Sequence, residues 1–151
     1  MFNTILVCLD GSELAEQILP FAEAQAVCFG SKIVLLQAID VTGTMALAAS
    51  RISPQRSLEM IEHEISKRTA ESNNYLERIA QPLRQKGIEV TSITLRGSAG
   101  DAIISYSKNE PVDLIAIATH GRSGLGRAIF GSVADFVLRH AGLPVLVIKP
   151  T

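Results

Sequence analysis

The sequence predicts an α/β fold, in which one domain is built on a doubly wound parallel sheet of five strands. Short apolar runs alternate with longer stretches of helical periodicity, in the order β-α-β-α-β-α-β-α-β. Uninterrupted apolar runs suit strands that are covered on both faces, and right-handed helical crossovers between parallel strands supply that cover. The 151 residues fit a single domain, which we assign as 1–151.

Five segments have the length and composition of strands. Four are continuous apolar runs, and the third along the chain alternates between apolar and polar residues, which is typical of a strand with one less buried face. They are Ile5–Leu9, Ile33–Leu36, Val90–Leu95, Leu114–Ala118 and Val145–Ile148. The last strand is predicted to lie at an edge of the sheet, where an exposed apolar strand favours pairing with a second chain.

Four helices are predicted between these strands. They run from about Ser12 to Cys28, from about Gln55 to Lys86, onward from Ser98, and onward from Ser132 to near Gly142. Pro20 falls inside the first and is expected to bend it. The last two begin with Ser-x-x-Asp, which resembles a capping box. The segment 41–54, rich in Ala, Ser and Thr, is predicted to be an irregular loop.

Composition excludes several classes of function. A net charge of −1 gives no basic field for nucleic acid, and seven aromatic residues leave little material for stacking bases. No run of residues has the length and apolarity of a membrane span, and the N-terminus does not resemble a signal peptide, so we expect a cytoplasmic protein. Cys8 and Cys28 are predicted to be reduced, buried thiols.

The stretch from Ala118 to Ser132 carries the strongest chemical signal. It follows an apolar strand, contains four glycines and leads into a helix N-terminus. Glycines let main-chain amides approach an anion, and free helix donors add to the attraction for phosphate. The spacing matches neither a Walker P-loop nor the G-x-G-x-x-G dinucleotide motif. The residues alone therefore leave open a phosphate site and a structural loop.

Charged residues near these loops admit more than one role. Asp10, which ends the first strand, is either a turn or capping residue or a ligand-binding carboxylate, and a phosphoryl-accepting nucleophile is the least favoured interpretation. His120 is either a phosphate or general-base residue or an ordinary packing residue. Arg122 and Arg127 either neutralise phosphate or serve as solubilising charges.

Both ends of the chain resemble universal stress proteins, specifically their ATP-binding branch. The opening Ile5 to Ser12, followed by Ala15-Glu16, is similar to the start of that family. Thr119-His120-Gly121-Arg122-Ser123-Gly124, then Gly131-Ser132-Val133-Ala134 after a spacing of nine residues from Gly121, is similar to its nucleotide-binding signature. Two positions depart from the pattern: Ala118 stands where glycine is usual, and Cys8 where proline is common.

The resemblance implies a Rossmann-like fold of the adenine nucleotide alpha hydrolase type, with strand order 3-2-1-4-5, and a bound ATP or AMP. Asp10 would contact the ribose or base, and Ala118 would lie under the ribose. The base would be bordered by Cys8, Leu9 and Ala38. The phosphates would be held by main-chain N–H groups and the Ser132 hydroxyl, at Gly121, Gly131, Ser132 and Val133, and the predicted nucleotide-binding residues also include Thr119 and Arg122.

The function implied is that of a cytoplasmic stress-response sensor or regulator that binds an adenine nucleotide. The protein is expected to act as a homodimer, with the two copies joined through the edge strand 145–148. Any Mg²⁺ would arrive on the phosphates. No paired carboxylates and no nucleophile–base couple stand out in the sequence, so we expect no enzyme. Two alternatives stay open: an interaction protein of the same fold that binds no nucleotide, and a slow ATPase.

Overall fold

The computed structural model describes residues 1–49, 53–119 and 131–151. Five strands make one sheet: β1 (Thr4–Leu9), β2 (Lys32–Ile39), β3 (Val90–Arg96), β4 (Leu114–Ala118) and β5 (Val145–Ile148). All pairings are parallel and the order is β3-β2-β1-β4-β5. The predicted fold class and strand order are confirmed.

Six helices accompany the strands in the described part of the chain: α1 (Glu13–Glu16), α2 (Leu19–Phe29), α3 (Thr42–Ala49), α4 (Pro54–Gln85), α5 (Ala99–Asn109) and α6 (Ser132–His140). None of them is long and apolar enough to cross a bilayer. Helices α2 and α4 cover one face of the sheet, and α5 and α6 cover the other.

The core has two layers because alternate residues of each strand point to opposite faces. On β1, Ile5, Val7 and Leu9 pack toward α2 and α4, whereas Leu6 and Cys8 pack toward α5 and α6. All six residues of β1 are buried. The strand lies at the centre of the sheet, and its continuous apolar sequence follows from that double cover.

The first predicted helix is two helices rather than one bent helix. Ser12 caps α1, accepting a hydrogen bond from the Ala15 amide at 3.1 Å, and the helix ends after four residues. Pro20 lies in the first turn of α2 instead of a helix interior. Proline fits there because the first helical amides have no acceptor within the helix, so its missing N–H costs nothing.

The segment 41–54 is not wholly irregular, since it contains α3. Asp40, just after β2, accepts hydrogen bonds from the Thr42 amide at 2.9 Å and from the Thr42 hydroxyl, which starts the helix. Cys28 also differs from its prediction, because it is exposed at the end of α2, while Cys8 is buried as expected. Helix α4 begins and ends within about one residue of its predicted bounds.

Helices α5 and α6 approach closely at Gly100. A Cβ atom built on Gly100 would lie 2.6 Å from Cδ1 of Phe136, well inside van der Waals contact. The absence of a side chain therefore allows the Phe136 ring to pack on the first turn of α5. This contact fixes the separation of the two helix N-termini that border the crevice described next.

Candidate functional site

The carboxyl ends of β1 and β4 form a crevice at the point where the order of the strands reverses. The chain runs from β1 outward to β2 and β3 and then returns past β1 to β4, so the loops after β1 and β4 diverge there. Doubly wound sheets bind their ligands at this position. A cavity of about 180 Å³ lies between these strand ends and the first turns of α5 and α6.

Eight of the eleven predicted site residues line this one cavity. They are Cys8, Leu9, Asp10, Ala118, Thr119, Gly131, Ser132 and Val133. Ala38 lies instead in an adjoining cavity of about 680 Å³ beside α4, and Asp10 borders both. Gly121 and Arg122 lie outside the described residues, as do His120 and Arg127.

Asp10 is a turn residue whose geometry the chain fixes locally. Its Oδ1 atom accepts hydrogen bonds from the Ser12 amide at 2.9 Å and from the Ser12 hydroxyl at 2.6 Å. Ser12 in turn caps α1. The structural role considered for Asp10 is therefore real, and it also holds the carboxylate in a set orientation at the junction of the two cavities.

The N-terminus of α6 supplies main-chain donors to the wall of the same cavity. Gly131 is its N-cap, with an amide that donates to the Thr119 carbonyl at 2.5 Å and a carbonyl that accepts from the Asp135 amide at 2.9 Å. Ser132 and Val133 occupy the first turn, where amides have no acceptor inside the helix. Such amides, with the positive end of the helix dipole, favour an anion.

Most of the remaining wall of this cavity is apolar. Ile117 and Ala118 come from β4, and Ala99 and Ile103 come from the first turns of α5. The sequence prediction missed Ala99 and Ile103, although their i, i+4 spacing after Ser98 places both on one face of a helix. A largely apolar cavity whose lining also includes a carboxylate and helix N-terminal amides suits a molecule that has both an apolar part and an anionic part.

Burial sets the chemistry of the Cys8 thiol, which lines this cavity. The Cys8 side chain is 6% exposed, and burial raises its pKa well above the ordinary value. The neutral thiol is therefore held as a small apolar surface and is a poor nucleophile. Cys8 thus contributes apolar surface to the wall of this cavity.

The adjoining cavity is more polar. Its inner wall includes Gln37 and Ser72, which hydrogen-bond through Ser72 Oγ and Gln37 Oε1 at 2.7 Å. Tyr75 also lines it, and burial together with the neighbouring Glu16 carboxylate raises the pKa of its hydroxyl. At its mouth Arg68 binds Glu64 at 2.7 Å and donates to the Asp40 carbonyl at 2.9 Å, which ties α4 to the end of β2.

The described ranges offer no preformed metal centre. Within residues 1–49, 53–119 and 131–151, no group of three or more His, Cys, Asp or Glu side chains is placed to hold an ion.

Known proteins share both the sequence pattern and the fold. Residues 1–149 match the universal stress protein family. Universal stress protein MJ0577 of Methanocaldococcus jannaschii is 30% identical over 155 residues, covering 99% of this chain and 96% of that protein. YxiE of Bacillus subtilis, also a universal stress protein, is 28% identical over 151 residues, covering 99% of this chain and all of the other.

Solved structures agree with that assignment. The structure of MJ0577 superposes with a TM-score of 0.87 at 28% identity, covering 100% of this chain and 98% of the other. A universal stress protein family member from Arabidopsis thaliana, solved with AMP bound, gives a TM-score of 0.63 at 19% identity, covering 99% and 92% of the two chains. With the family match over nearly its whole length, this chain belongs to the universal stress protein family.

Proposed function

We propose that this protein binds an adenine nucleotide, ATP or AMP, in the crevice between β1 and β4. The observation that carries the proposal is the pairing, in one cavity, of the oriented Asp10 carboxylate with the first-turn amides of α6. A carboxylate accepts hydrogen bonds from ribose hydroxyls, and helix N-terminal amides donate to phosphate. The apolar part of the same cavity would hold the base.

Each part of the nucleotide has a counterpart in the crevice. The base would lie against Cys8, Leu9 and the Ala99–Ile103 face of α5, with Ala38 bordering it from β2. The ribose would lie over Ala118 and hydrogen-bond Asp10. The phosphates would accept hydrogen bonds from the main-chain amides of Ser132 and Val133 and from the Ser132 hydroxyl. Gly131 would border them as the N-cap, because its own amide donates to the Thr119 carbonyl. Thr119, Gly121 and Arg122 are proposed to complete the phosphate site.

Support for an adenylate comes from a structural relative. The Arabidopsis family member of the same fold was solved with AMP. In this chain Ala118 replaces the usual glycine beneath the ribose and lies in regular strand backbone, where a methyl group introduces no strain. We propose that Mg²⁺, when present, is carried on the phosphates.

We further propose a sensing or regulatory role in a cytoplasmic stress response rather than catalysis. The Cys8 thiol lines the same cavity as Asp10, and burial holds it protonated. The Asp10 carboxylate is committed to the Ser12 turn through Oδ1, an arrangement that suits binding. In this role the occupied and empty states of the crevice would be read by a partner or by a second copy of the chain.

A homodimer through the free edge of β5 is part of the proposal. The carbonyls of Pro144 and Ile148 accept from amides of Ile115 and Thr119, so even-numbered residues of β5 face β4. By alternation, the backbone groups of Val145 and Val147 point away from the sheet. They offer hydrogen-bonding groups to the same strand of a second copy across a two-fold axis.

Isothermal titration calorimetry with ATP, AMP and GTP tests nucleotide binding. We expect saturable heat with ATP or AMP and much weaker binding of GTP. Val133→Pro removes one donating amide in the first turn of α6, where proline is tolerated, and is expected to weaken ATP binding about tenfold or more. Val133→Ala keeps the amide and is expected to bind like the unmodified protein. Equal affinities for both variants would contradict the proposed phosphate site.

A further inference from the structure

The outer face of α2 is apolar throughout. Every exposed residue of this helix has an apolar side chain, and three are large: Phe21 is 52% exposed, Val27 65% and Phe29 42%. The others are Pro20, Ala24 and Cys28. The two polar residues, Glu23 and Gln25, lie half-buried on the flanks, and Glu23 pairs with Lys86 at 2.6 Å.

This arrangement reverses the usual one for a surface helix. Helices that cover a sheet ordinarily place large apolar residues inward and charges outward. In α2 the buried stripe includes Ala22 and Ala26, which are small, while the phenylalanines and Val27 face outward. Contiguous apolar patches of several hundred Å² are uncommon on soluble monomers, and those that occur often mark interaction surfaces.

The positions of the exposed residues along α2 suit a second copy of the same helix. Five of the six exposed residues, at positions 20, 21, 24, 27 and 28, lie at −4, −3, 0, +3 and +4 from Ala24, so their pattern is the same in both directions along the helix. Phe29, at +5, lies outside this pattern and packs edge to face on Phe2 at the end of the patch. If two copies cross antiparallel at Ala24, Phe21 of each meets Val27 of the other. Ala24 is small enough to let the axes approach to about 8 Å.

We propose that a second copy of this chain docks here, α2 against α2, across a two-fold axis. The patch carries no charge, so an identical patch meets it without repulsion. Isologous contacts require this kind of self-complementarity. A hydrophilic or charged partner surface would leave the phenylalanine side chains uncovered and would gain little from the contact.

The size of the patch sets the strength of the contact. From the exposed fractions and ordinary side-chain areas, each copy offers on the order of 400 Å² of apolar surface, or roughly 800 Å² for the pair. Stable dimers bury more than about 1,200 Å². The proposed contact is therefore weak and concentration-dependent. It lies on the face above β1 and β2, away from the β5 edge.

Sedimentation velocity from low micromolar to near-millimolar concentration tests the contact. The measurement is made in a Val147→Pro background, so that the edge-strand dimer of the proposed function does not contribute. We expect a reversible monomer–dimer shift that Val27→Glu reduces at least tenfold in association constant. Leu58→Glu, at an equally exposed apolar position on α4, is the matched control and should leave the shift unchanged.

Disulfide trapping tests the register independently. With Cys28 replaced by Ala, the Ala24→Cys variant should form an intermolecular disulfide on mild oxidation, because the two positions meet at the crossing point. Native Cys28 residues would lie about 12 Å apart along the axis and should not cross-link. Three results would overturn the proposal. The first is a sedimentation coefficient that does not change with concentration, and the second is a shift that Val27→Glu does not reduce. The third is cross-linking through native Cys28 but not in the Ala24→Cys variant.

Discussion

Asp10 has one role that the structure shows and one that we propose. Its Oδ1 atom accepts hydrogen bonds from Ser12 and closes the turn that leads to α1, and the residue borders both cavities. We propose that the carboxylate also accepts a hydrogen bond from a ribose hydroxyl, since an ionised carboxylate has about four acceptor sites.

Replacing Asp10 by Asn separates the two roles. The amide oxygen still accepts from Ser12, so the fold should persist, but the charge is lost. We expect nucleotide affinity to fall about tenfold, in line with the loss of a charge-assisted hydrogen bond. Asp113→Asn is the control, since Asp113 Oδ2 accepts from the Asn3 and Thr4 amides at 2.8 and 2.9 Å at the opposite end of the sheet. Calorimetry that finds equal losses in both variants would contradict a ribose contact.

The two cysteines should differ in reactivity. Burial raises the pKa of Cys8, so almost no thiolate forms at about pH 8, whereas Cys28 is exposed. A chromogenic thiol reagent is expected to label one thiol per native chain at low micromolar protein concentration and two in denaturant. Cys28→Ala should leave no reactive thiol in the native protein. Rapid labelling of that variant would show that Cys8 is accessible.

At the scale of elements, the sequence predicted the strands well and the loops less well. The continuous apolar strands are recognisable in the sequence because a strand that is buried on both faces has apolar side chains at nearly every position. Pro20 was misplaced because proline in a helix interior and proline in a first turn look alike until the preceding helix is seen to end at Glu16. Helix α3 was missed because its Ala-rich and Thr-rich sequence carries no amphipathic stripe.

The lining of the candidate cavity could be predicted where a residue type has a recognisable local role, and less well where distant segments of the chain meet. Gly131 and Ser132 follow from the chemistry of helix N-termini. Ala99 and Ile103 were missed because apolar residues at a helix start have no distinctive signal, and only the return of the chain across the sheet brings them to β1 and β4. The same topology separates Ala38 into the adjoining cavity.

The contact between α5 and α6 gives a prediction for stability. Gly100→Ala places a methyl group against the Phe136 ring, and the ring must move or the helices must separate. We expect a loss of about 1–3 kcal/mol in the free energy of unfolding, measured with urea. Gly43→Ala in α3 meets open space and should be neutral or mildly stabilising. Equal effects of the two substitutions would rule out the proposed tight approach.

At the scale of the whole molecule, the strand order makes the crevice and also leaves β5 as an open edge in the described fold. The outward amide of Val147 is the group that a second β5 strand would need. Val147→Pro removes it without touching the β4 ladder, because proline is accepted at edge positions that face solvent. Size-exclusion chromatography with light scattering is expected to show a monomer for this variant and a dimer for the parent.

Two outcomes bear on that dimer. Val147→Ala retains the amide and should remain dimeric, which separates the effect of the hydrogen bond from that of the side chain. A dimer that persists in Val147→Pro at micromolar concentration would show that another surface joins the two copies. The weaker α2 contact would not hold them together at that concentration.

The central claim is that the first-turn amides of α6 bind the phosphates of an adenine nucleotide whose ribose reaches Asp10. A crystal structure grown with ATP and Mg²⁺ tests it most directly. We expect phosphate oxygens about 3 Å from the amides of Ser132 or Val133, and the adenine ring beside Ala99 and Ile103. An empty crevice at saturating ATP, or a nucleotide bound elsewhere on the molecule, would contradict it.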